Sequence, residues 1–215
     1  MAGKRRQSGA KAGTSIAGVL LAPGAGGAAN SSAFVEFGDV IAATGLAVER
    51  MDFPYRIAGR RRPDPRGVLE ESVGKRATAL AEELGVGTRE LVLGGRSMGG
   101  RICSQVVAGG FPAAGLVLVS YPLHPPGQPE RLRADHFPAI RVPCLFVSGT
   151  RDAFGSPDEL EAATDGITGP VTHVWLEGGD HGLRKHGEDA ASAVVRWLLA
   201  TFALASGDPA SRSSS

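Results

Sequence analysis

The sequence predicts an α/β fold in which about six mostly parallel strands form a sheet with helices on both faces. Short apolar runs alternate along the chain with longer runs of helical spacing. The apolar runs are continuous rather than alternating, as strands buried on both faces require. With 215 residues, 42% of them hydrophobic, the chain can form one domain with a sizeable core. We find no internal repeat and no sign of a second domain.

Each element is assigned from its periodicity and its boundary residues. Apolar runs predict strands over 15–22, 46–53, 90–95, 115–122, 144–150 and 171–178. Helical spacing, caps and glycine stops predict helices over 32–45, 68–85, 98–110, 156–164 and 188–205. The proline-broken segments 55–67 and 121–143 are predicted as a surface loop and a long irregular connection.

The two ends of the chain differ from the middle in composition. Residues 1–14 are basic and residues 206–215 are rich in serine, so we predict disordered tails around a domain at 15–205. The start also resembles a signal peptide, but its apolar run IAGVLLA has only seven residues and ends in Pro-Gly. No run approaches the roughly 20 apolar residues that span a bilayer. We therefore predict a cytoplasmic protein.

Charge and cysteine content exclude several classes of function. The net charge of +1, from 23 basic and 22 acidic residues, gives no reason to expect nucleic acid or a membrane as partner. Cys103 and Cys144 are too few for a disulfide framework, and no CxxC spacing indicates zinc. We expect buried thiols and no metal, although a pair between these cysteines stays open, as does the oligomeric state.

The segment 92–101, VLGGRSMGGR, lies between a predicted strand and a predicted helix. Gly95, Ser97 and Gly99 form the pattern G-x-S-x-G, which in this context indicates a nucleophile elbow. Such a turn lifts the serine out of the sheet edge, and crowding requires glycine at the outer positions. The helix start also places N–H groups near the hydroxyl. The alternative is a glycine-rich turn with an incidental serine.

A serine hydroxyl needs a base, which is usually a histidine. His181 is the candidate, because it lies in the glycine-rich loop EGGDHGL directly after the last strand. His173 falls within a strand and is predicted to pack, whereas His186 is predicted to be solvated at the start of the last helix. His124 and His136 lie in the long connection, where His124 is placed to line a site.

The carboxylate that orients the histidine is expected at another strand end. Asp152 follows the fifth strand, so the order is Ser97, Asp152, His181, with gaps of 55 and 29 residues. This is the order found in α/β-hydrolases. Asp180 is a competitor, although a direct neighbour of His181 is poorly placed to reach its ring. Other acids are predicted as surface charges, namely Asp135 and Asp158.

An oxyanion hole needs two N–H donors beside the serine. We assign one to Met98, the residue after the nucleophile, and the second to Ala25 in the loop LLAPGAGGAANSS after the first strand. Gly24 and Gly26 let this backbone approach a substrate. The alternatives are a generic βα turn or a phosphate loop, but the Gly-Lys-Ser/Thr of a P-loop is missing.

Several cations cluster near the predicted mouth of the site. Arg96 and Arg151 precede the nucleophile and the acid, and Arg131 and Arg133 lie in the long connection. Guanidinium pairs well with carboxylate, which favours an anionic acyl group. The predicted substrate-binding residues are Arg96, His124, Arg131 and Arg133. The alternative is that these arginines form weak surface pairs.

Five segments occur in order: LLAPGAGG, GGRSMGGR, SYPLHPPGQPERLR, LFVSGTRDAFG and GGDHGL. Together they resemble small dienelactone-hydrolase-like α/β-hydrolases, in the branch that includes a testis-expressed hydrolase-like protein. The resemblance runs from about Ser15 to about Ala205 and implies a serine triad at Ser97, Asp152 and His181. This chain departs from the family in two ways. Many relatives carry histidine at the position of Pro23. Dienelactone hydrolases proper use a cysteine nucleophile where this chain has Ser97, and this second departure argues against dienelactone as the substrate.

The sequence therefore predicts a minimal α/β-hydrolase that cleaves a small ester or thioester through an acyl-serine intermediate, without a cofactor. The rival from another class is a non-catalytic binding or scaffold protein of the same fold, as the resemblance implies for some relatives. An intact Ser, Asp, His order argues against it. A peptidase is a further alternative, but no added domain that would select peptides is recognisable.

Overall fold

The computed structural model describes residues 14–204, so both predicted tails lie outside the described residues except for Thr14. Eight strands occur in this range: β1 (Ser15–Ile16), β2 (Gly18–Ala22), β3 (Ala47–Arg50), β4 (Leu91–Arg96), β5 (Gly115–Val119), β6 (Cys144–Gly149), β7 (Val171–Leu176) and β8 (Ala203–Leu204). Six of them form one parallel sheet in the order β3-β2-β4-β5-β6-β7. The predicted α/β fold is confirmed.

Helices cover both faces of this sheet. They are α1 (Ser32–Ala42), α2 (Pro54–Ile57), α3 (Arg66–Leu84), α4 (Met98–Ala108), α5 (Pro157–Thr164) and α6 (Gly187–Thr201). One core cluster contains buried residues of α3, α4 and α5, and the other contains residues of α1 and α6. None of the helices within residues 14–204 combines the length and apolarity needed to cross a membrane.

The central strands β2 and β5 are continuously apolar because successive residues belong to the core clusters on opposite faces of the sheet. In β2, Leu20 belongs to the cluster under α3 and α4, whereas Val19 and Leu21 belong to the cluster under α1 and α6. All five residues of β2 are buried, and the same holds for β5. Each fully buried Leu or Val side chain contributes about 1.5–3 kcal/mol relative to an exposed one. The pattern that predicted a doubly covered sheet therefore has this physical cause.

The predicted strand 15–22 divides at Ala17 into β1 and β2. Ala17 donates its N–H to the carbonyl of Glu90 and accepts from the N–H of Ala47, so the chain joins the main sheet only from this point. β1 instead pairs in parallel with β8 in a separate two-stranded sheet. The predicted last helix, 188–205, was accordingly too long, since α6 ends at Thr201 and the chain turns into β8.

The predicted surface loop 55–67 was also wrong in part, because it contains most of α2 and the start of α3. Pro54 occupies the first turn of α2, where its fixed φ is already helical. The side chain of Tyr55 is completely buried in the core, which holds this short helix in place. Gly85, with a φ of 65°, ends α3 as predicted.

The two cysteines lie in different parts of one core cluster. Cys103 in α4 and Cys144 in β6 are both buried and free, and no disulfide joins them. Burial disfavours the charged thiolate and raises the pKa of each thiol to about 12. Both side chains therefore act as small packing groups, as the sequence predicted.

Parallel strands bring all their carboxyl ends to one edge of the sheet. The loop 23–31 follows β2, Ser97 follows β4, Asp152 lies just beyond β6 and His181 lies beyond β7. These segments come from distant parts of the chain but meet at the same edge. The fold thus positions the candidate site before any side-chain contact is considered.

Candidate active site

Ser97 lies in a strained turn between β4 and α4. Its φ of 52° and ψ of −119° are unusual for a residue other than glycine. The N–H of Ser97 donates to the carbonyl of Val119 at 2.8 Å, which anchors the turn to the neighbouring strand β5. The serine side chain therefore projects from the carboxyl edge at the start of a helix.

Gly95 and Gly99 lie against the end of β2. A Cβ at Gly95 would fall 2.0 Å from the carbonyl oxygen of Ala22, and one at Gly99 would fall 2.1 Å from the same atom. Gly95 also has a φ of 150°. Neither position has room for a side chain, because the obstructing atom belongs to the backbone of a buried strand.

Ser97, His181 and Asp152 form a continuous hydrogen-bonded chain. The Oγ of Ser97 lies 2.8 Å from Nε2 of His181, and Nδ1 of His181 lies 2.8 Å from Oδ2 of Asp152. The Asp152 side chain is 1% exposed, whereas that of His181 is 24% exposed. The ring of Phe154 lies against His181 with centroids 4.1 Å apart. An imidazole held in this way can take a proton from the hydroxyl.

The loop that carries the acid is held against the loop that carries the histidine. The N–H of Arg151 donates to the carbonyl of Gly179 at 2.9 Å. A Cβ at Gly149, the last residue of β6, would lie 2.1 Å from that same carbonyl oxygen. Asp180, the competing acid, instead accepts the N–H of Leu183 at 3.0 Å, and within residues 14–204 it makes no hydrogen bond with the ring of His181.

The loop after β2 approaches the nucleophile closely. A Cβ at Gly24 would lie 3.5 Å from the Cβ of Ser97. Among the hydrogen bonds within residues 14–204, none uses the N–H of Ala25 or that of Met98. The N–H groups of Ala25 and Met98 are therefore without an acceptor in this part of the chain, and the oxyanion role assigned to them stays a prediction.

Two residues that sequence reasoning missed hold this loop. The hydroxyl of Tyr55 donates to the carbonyl of Ala25 at 2.6 Å, and Oδ1 of Asp52 accepts the N–H of Ala29 at 2.8 Å. Burial raises the pKa of Tyr55, so its hydroxyl stays protonated and remains a donor. Asp52 fell within the predicted strand 46–53, whereas β3 ends at Arg50, and Tyr55 fell in a segment predicted as a surface loop, so neither gave a signal.

The predicted substrate-binding residues are dispersed. Arg96 contacts the site, since its Nη2 donates to the carbonyl of His181 at 3.3 Å. Arg131 donates to Oε1 of Gln128, Arg133 donates to the carbonyl of Pro122, and buried His124 lies 2.8 Å from the carbonyl of Pro125. Within residues 14–204 these three make no hydrogen bond with the triad, so their binding role stays a prediction.

The remaining histidines have structural partners. His173 lies between the rings of Phe146 and Trp175, as its predicted packing role requires. His136 lies 2.8 Å from the hydroxyl of Ser104, and burial lowers the pKa of His136 to about 4. In residues 14–204 no three His, Cys, Asp or Glu side chains are grouped to hold a metal ion.

Comparison with known proteins identifies the family to which this fold belongs. A family model described as an alpha/beta hydrolase domain matches residues 15–202. The chain belongs to the α/β-hydrolase domain family. The match covers nearly all the described residues, so the resemblance to α/β-hydrolases is confirmed, whereas the dienelactone-hydrolase-like branch stays a prediction.

Solved structures share the fold of this α/β-hydrolase at low sequence identity. An alpha-beta serine hydrolase homologue from Coxiella burnetii has a TM-score of 0.70 and 20% identity, covering 86% of this chain and 87% of that one. A dienelactone hydrolase from Anabaena variabilis has a TM-score of 0.69 and 17% identity, covering 87% and 88%. A monoacylglycerol lipase from Paleococcus ferrophilus has a TM-score of 0.69 and 17% identity, covering 87% and 96%.

The contact at Ala22 predicts that Gly99→Ala destabilises the protein by about 3 kcal/mol, because a new Cβ would overlap a backbone oxygen that cannot move away. Denaturant unfolding measures the change. Gly67→Ala is the matched control, since Gly67 lies in α3 with no atom within 4 Å of its would-be Cβ. This control should be neutral or stabilising by up to about 1 kcal/mol. Equal effects of the two substitutions would show that the Ala22 contact is not restrictive.

Proposed function

We propose that this α/β-hydrolase cleaves a small ester or thioester through an acyl-serine intermediate. The observation that carries the proposal is the chain of contacts from Ser97 Oγ through His181 to Asp152, with 2.8 Å at each step. The serine lies on a strained strand-to-helix turn, and the acid is almost fully buried. Nucleophile, base and orienting acid are thus all present in one chain of hydrogen bonds.

In the proposed reaction, Ser97 Oγ attacks the carbonyl carbon while Nε2 of His181 takes the hydroxyl proton. The tetrahedral intermediate then expels the alkoxide or thiolate, which leaves as the alcohol or thiol after receiving that proton from His181. Water next attacks the acyl-serine, with His181 again as base, and the carboxylic acid and free serine are released. Asp152 holds the imidazole in orientation and stabilises its charged form.

The oxyanion of each tetrahedral intermediate would accept the N–H groups of Ala25 and Met98. Both donors belong to the backbone, and neither has another acceptor within residues 14–204. Donors fixed in advance stabilise the developing charge without reorganising during the reaction. The hydrogen bond from Tyr55 to the Ala25 carbonyl supports this assignment, because it fixes the peptide next to the donor.

The substrate class is supported by the neighbours and by the motifs. Two of the proteins that share the fold are named for hydrolysis of an ester bond, a dienelactone hydrolase and a monoacylglycerol lipase. The motifs around Ser97 further favour the dienelactone-hydrolase-like branch that includes the testis-expressed hydrolase-like protein. Serine in place of cysteine argues against dienelactone itself.

We further propose that the enzyme is cytoplasmic, because the buried free thiols Cys103 and Cys144 fit a reducing compartment.

A fluorophosphonate probe tests the nucleophile directly. We expect labelling at Ser97 alone, located by mass spectrometry, and we expect Ser97→Ala to abolish labelling and turnover of short-chain p-nitrophenyl esters. Loss of a triad nucleophile costs on the order of 10⁶ in kcat, so turnover should fall to background. Ser104→Ala is the matched control, because Ser104 contacts His136 in the buried core and should stay dispensable for labelling.

Labelling at another serine, or unchanged turnover in Ser97→Ala, would refute the nucleophile assignment. Absence of both labelling and turnover in the folded wild-type protein would instead favour the non-catalytic binding or scaffold protein of the same fold.

The two aspartates near His181 are expected to differ sharply. Asp152→Asn should lower kcat by roughly 10⁴ at neutral pH, because an amide holds the imidazole in the wrong tautomer. Asp180→Asn should change kcat by less than about tenfold, since Asp180 caps only a local turn. Steady-state kinetics on one ester measure both. The reverse ranking would assign the orienting role to Asp180.

Tyr55→Phe removes the bond to the Ala25 carbonyl without changing the shape of the buried ring. We expect kcat to fall about tenfold with KM almost unchanged, because loosening one oxyanion donor weakens transition-state binding but not substrate binding. Tyr121→Phe is the matched control, since it removes a similar buried bond, to the carbonyl of Arg133 at 2.7 Å, outside this loop. Equal losses of kcat in both variants would reduce Tyr55 to a stabilising role.

A further inference from the structure

A cavity lies next to the triad, beside residues that flank Ser97 and His181. It is bounded by α1, the start of α6 and residues 182–187, and its volume is about 640 Å³. Gly95 and Arg96 belong to its wall, but Ser97 and His181 are not among the described residues that line it. A cavity of this size accommodates a small organic molecule. It is therefore separate from the position where the proposed acyl-serine would form.

The wall of this cavity combines apolar and charged side chains. Phe34, Phe37, Val40 and Leu183 supply an apolar surface. Three cations and two acids also line it, namely Arg96, Arg184, Lys185, Glu36 and Glu188. In residues 14–204 none of these five charged groups forms an ion pair within 4.0 Å, although four other arginines do, namely Arg50, Arg60, Arg66 and Arg76. The cations around the cavity are thus available to a ligand.

Arg96 is the cation held deepest in this wall. It is half-buried, and within residues 14–204 the one hydrogen bond of its guanidinium goes to the neutral carbonyl of His181 at 3.3 Å. Burial lowers the pKa of Arg96, and the charge of Arg184 adds to that effect, while Asp180 and Asp152 oppose it. A half-buried guanidinium that forms no ion pair within 4.0 Å among residues 14–204 loses hydration without full compensation. An anion in the cavity would relieve this cost.

We propose that this cavity binds a small amphipathic monocarboxylate. The carboxylate would contact Arg96 together with Arg184 or Lys185, since guanidinium donates two parallel hydrogen bonds to such a group. The hydrocarbon part would cover Phe34 and Phe37. Three positive and two negative charges line the wall, a net charge of +1, which matches a monoanion better than a phosphate dianion. A ligand bound at Arg96 would contact a side chain that is itself hydrogen-bonded to the backbone carbonyl of His181.

Hexanoate titrated into the isotopically labelled full chain tests the site by NMR. We expect saturable shifts at residues that line the cavity and at least tenfold weaker binding of hexan-1-ol, which has the same chain without the charge. Added salt should weaken hexanoate binding, because it screens the cations around the partly open cavity. These readouts do not require ester turnover, so they stand or fall independently of the proposed hydrolase activity.

Matched variants separate charge from packing. Val40 lines the cavity and is 38% exposed, so substitutions there should fold. Val40→Asp should weaken hexanoate binding at least tenfold, because the new carboxylate repels the carboxylate of the ligand. Val40→Asn introduces a side chain of the same shape as Asp but without its charge, so it should change binding less than threefold. Arg184→Gln should likewise weaken binding, and Arg89→Gln, an exposed arginine outside the cavity, should not.

Three results would overturn the proposal. In the first, hexanoate binds no better than hexan-1-ol; in the second, Val40→Asp binds hexanoate like Val40→Asn; in the third, the shifts centre on Ser97 instead of the cavity. Under any of these, the cations around the cavity are ordinary solvated groups, and Arg96 serves only to hold the His181 loop.

Discussion

The position of the Ala22 carbonyl oxygen determines how the candidate site is arranged. The backbones of Gly95 and Gly99, on either side of Ser97, both lie against this single oxygen. Ala22 is also the last residue before the loop that carries Ala25. The close contact of Ala22 with Gly95 and Gly99 therefore sets the distance between Ser97 and the loop that carries Ala25. The other residues of the site are arranged around Ser97 and this loop.

A second contact of the same kind positions the other half of the site. Gly149 at the end of β6 lies against the carbonyl of Gly179, and that carbonyl also accepts the N–H of Arg151. Asp152 and His181 follow these residues almost directly, so their separation is fixed mainly by backbone geometry. The backbone contacts bring the two loops together, and the side chains of Asp152 and His181 then form their hydrogen bond. An acid 29 residues away in sequence can therefore orient the histidine.

The sequence predicts those parts of the molecule whose cause is local. Continuous apolar runs reflect burial on both faces, and the turn at Ser97 needs glycines beside it, so both could be recognised from residue order alone. The role of Tyr55 could not be recognised from the sequence, because it depends on a carbonyl 30 residues away and its segment is polar in composition. The contact of Arg96 was also inaccessible from the sequence, since its partner is the backbone carbonyl of His181, whereas Ser97 contacts the ring of the same residue.

The pairing of β1 with β8 joins the two ends of the described chain. Ser15 lies beside Ala203 and Ile16 beside Leu204, and β1 leads directly into the amino end of β2. Anything attached beyond either end would therefore start from one place, across the sheet from Ser97. A short linker that joined Ser15 directly to Leu204 would give a circular permutant with the same sheet order.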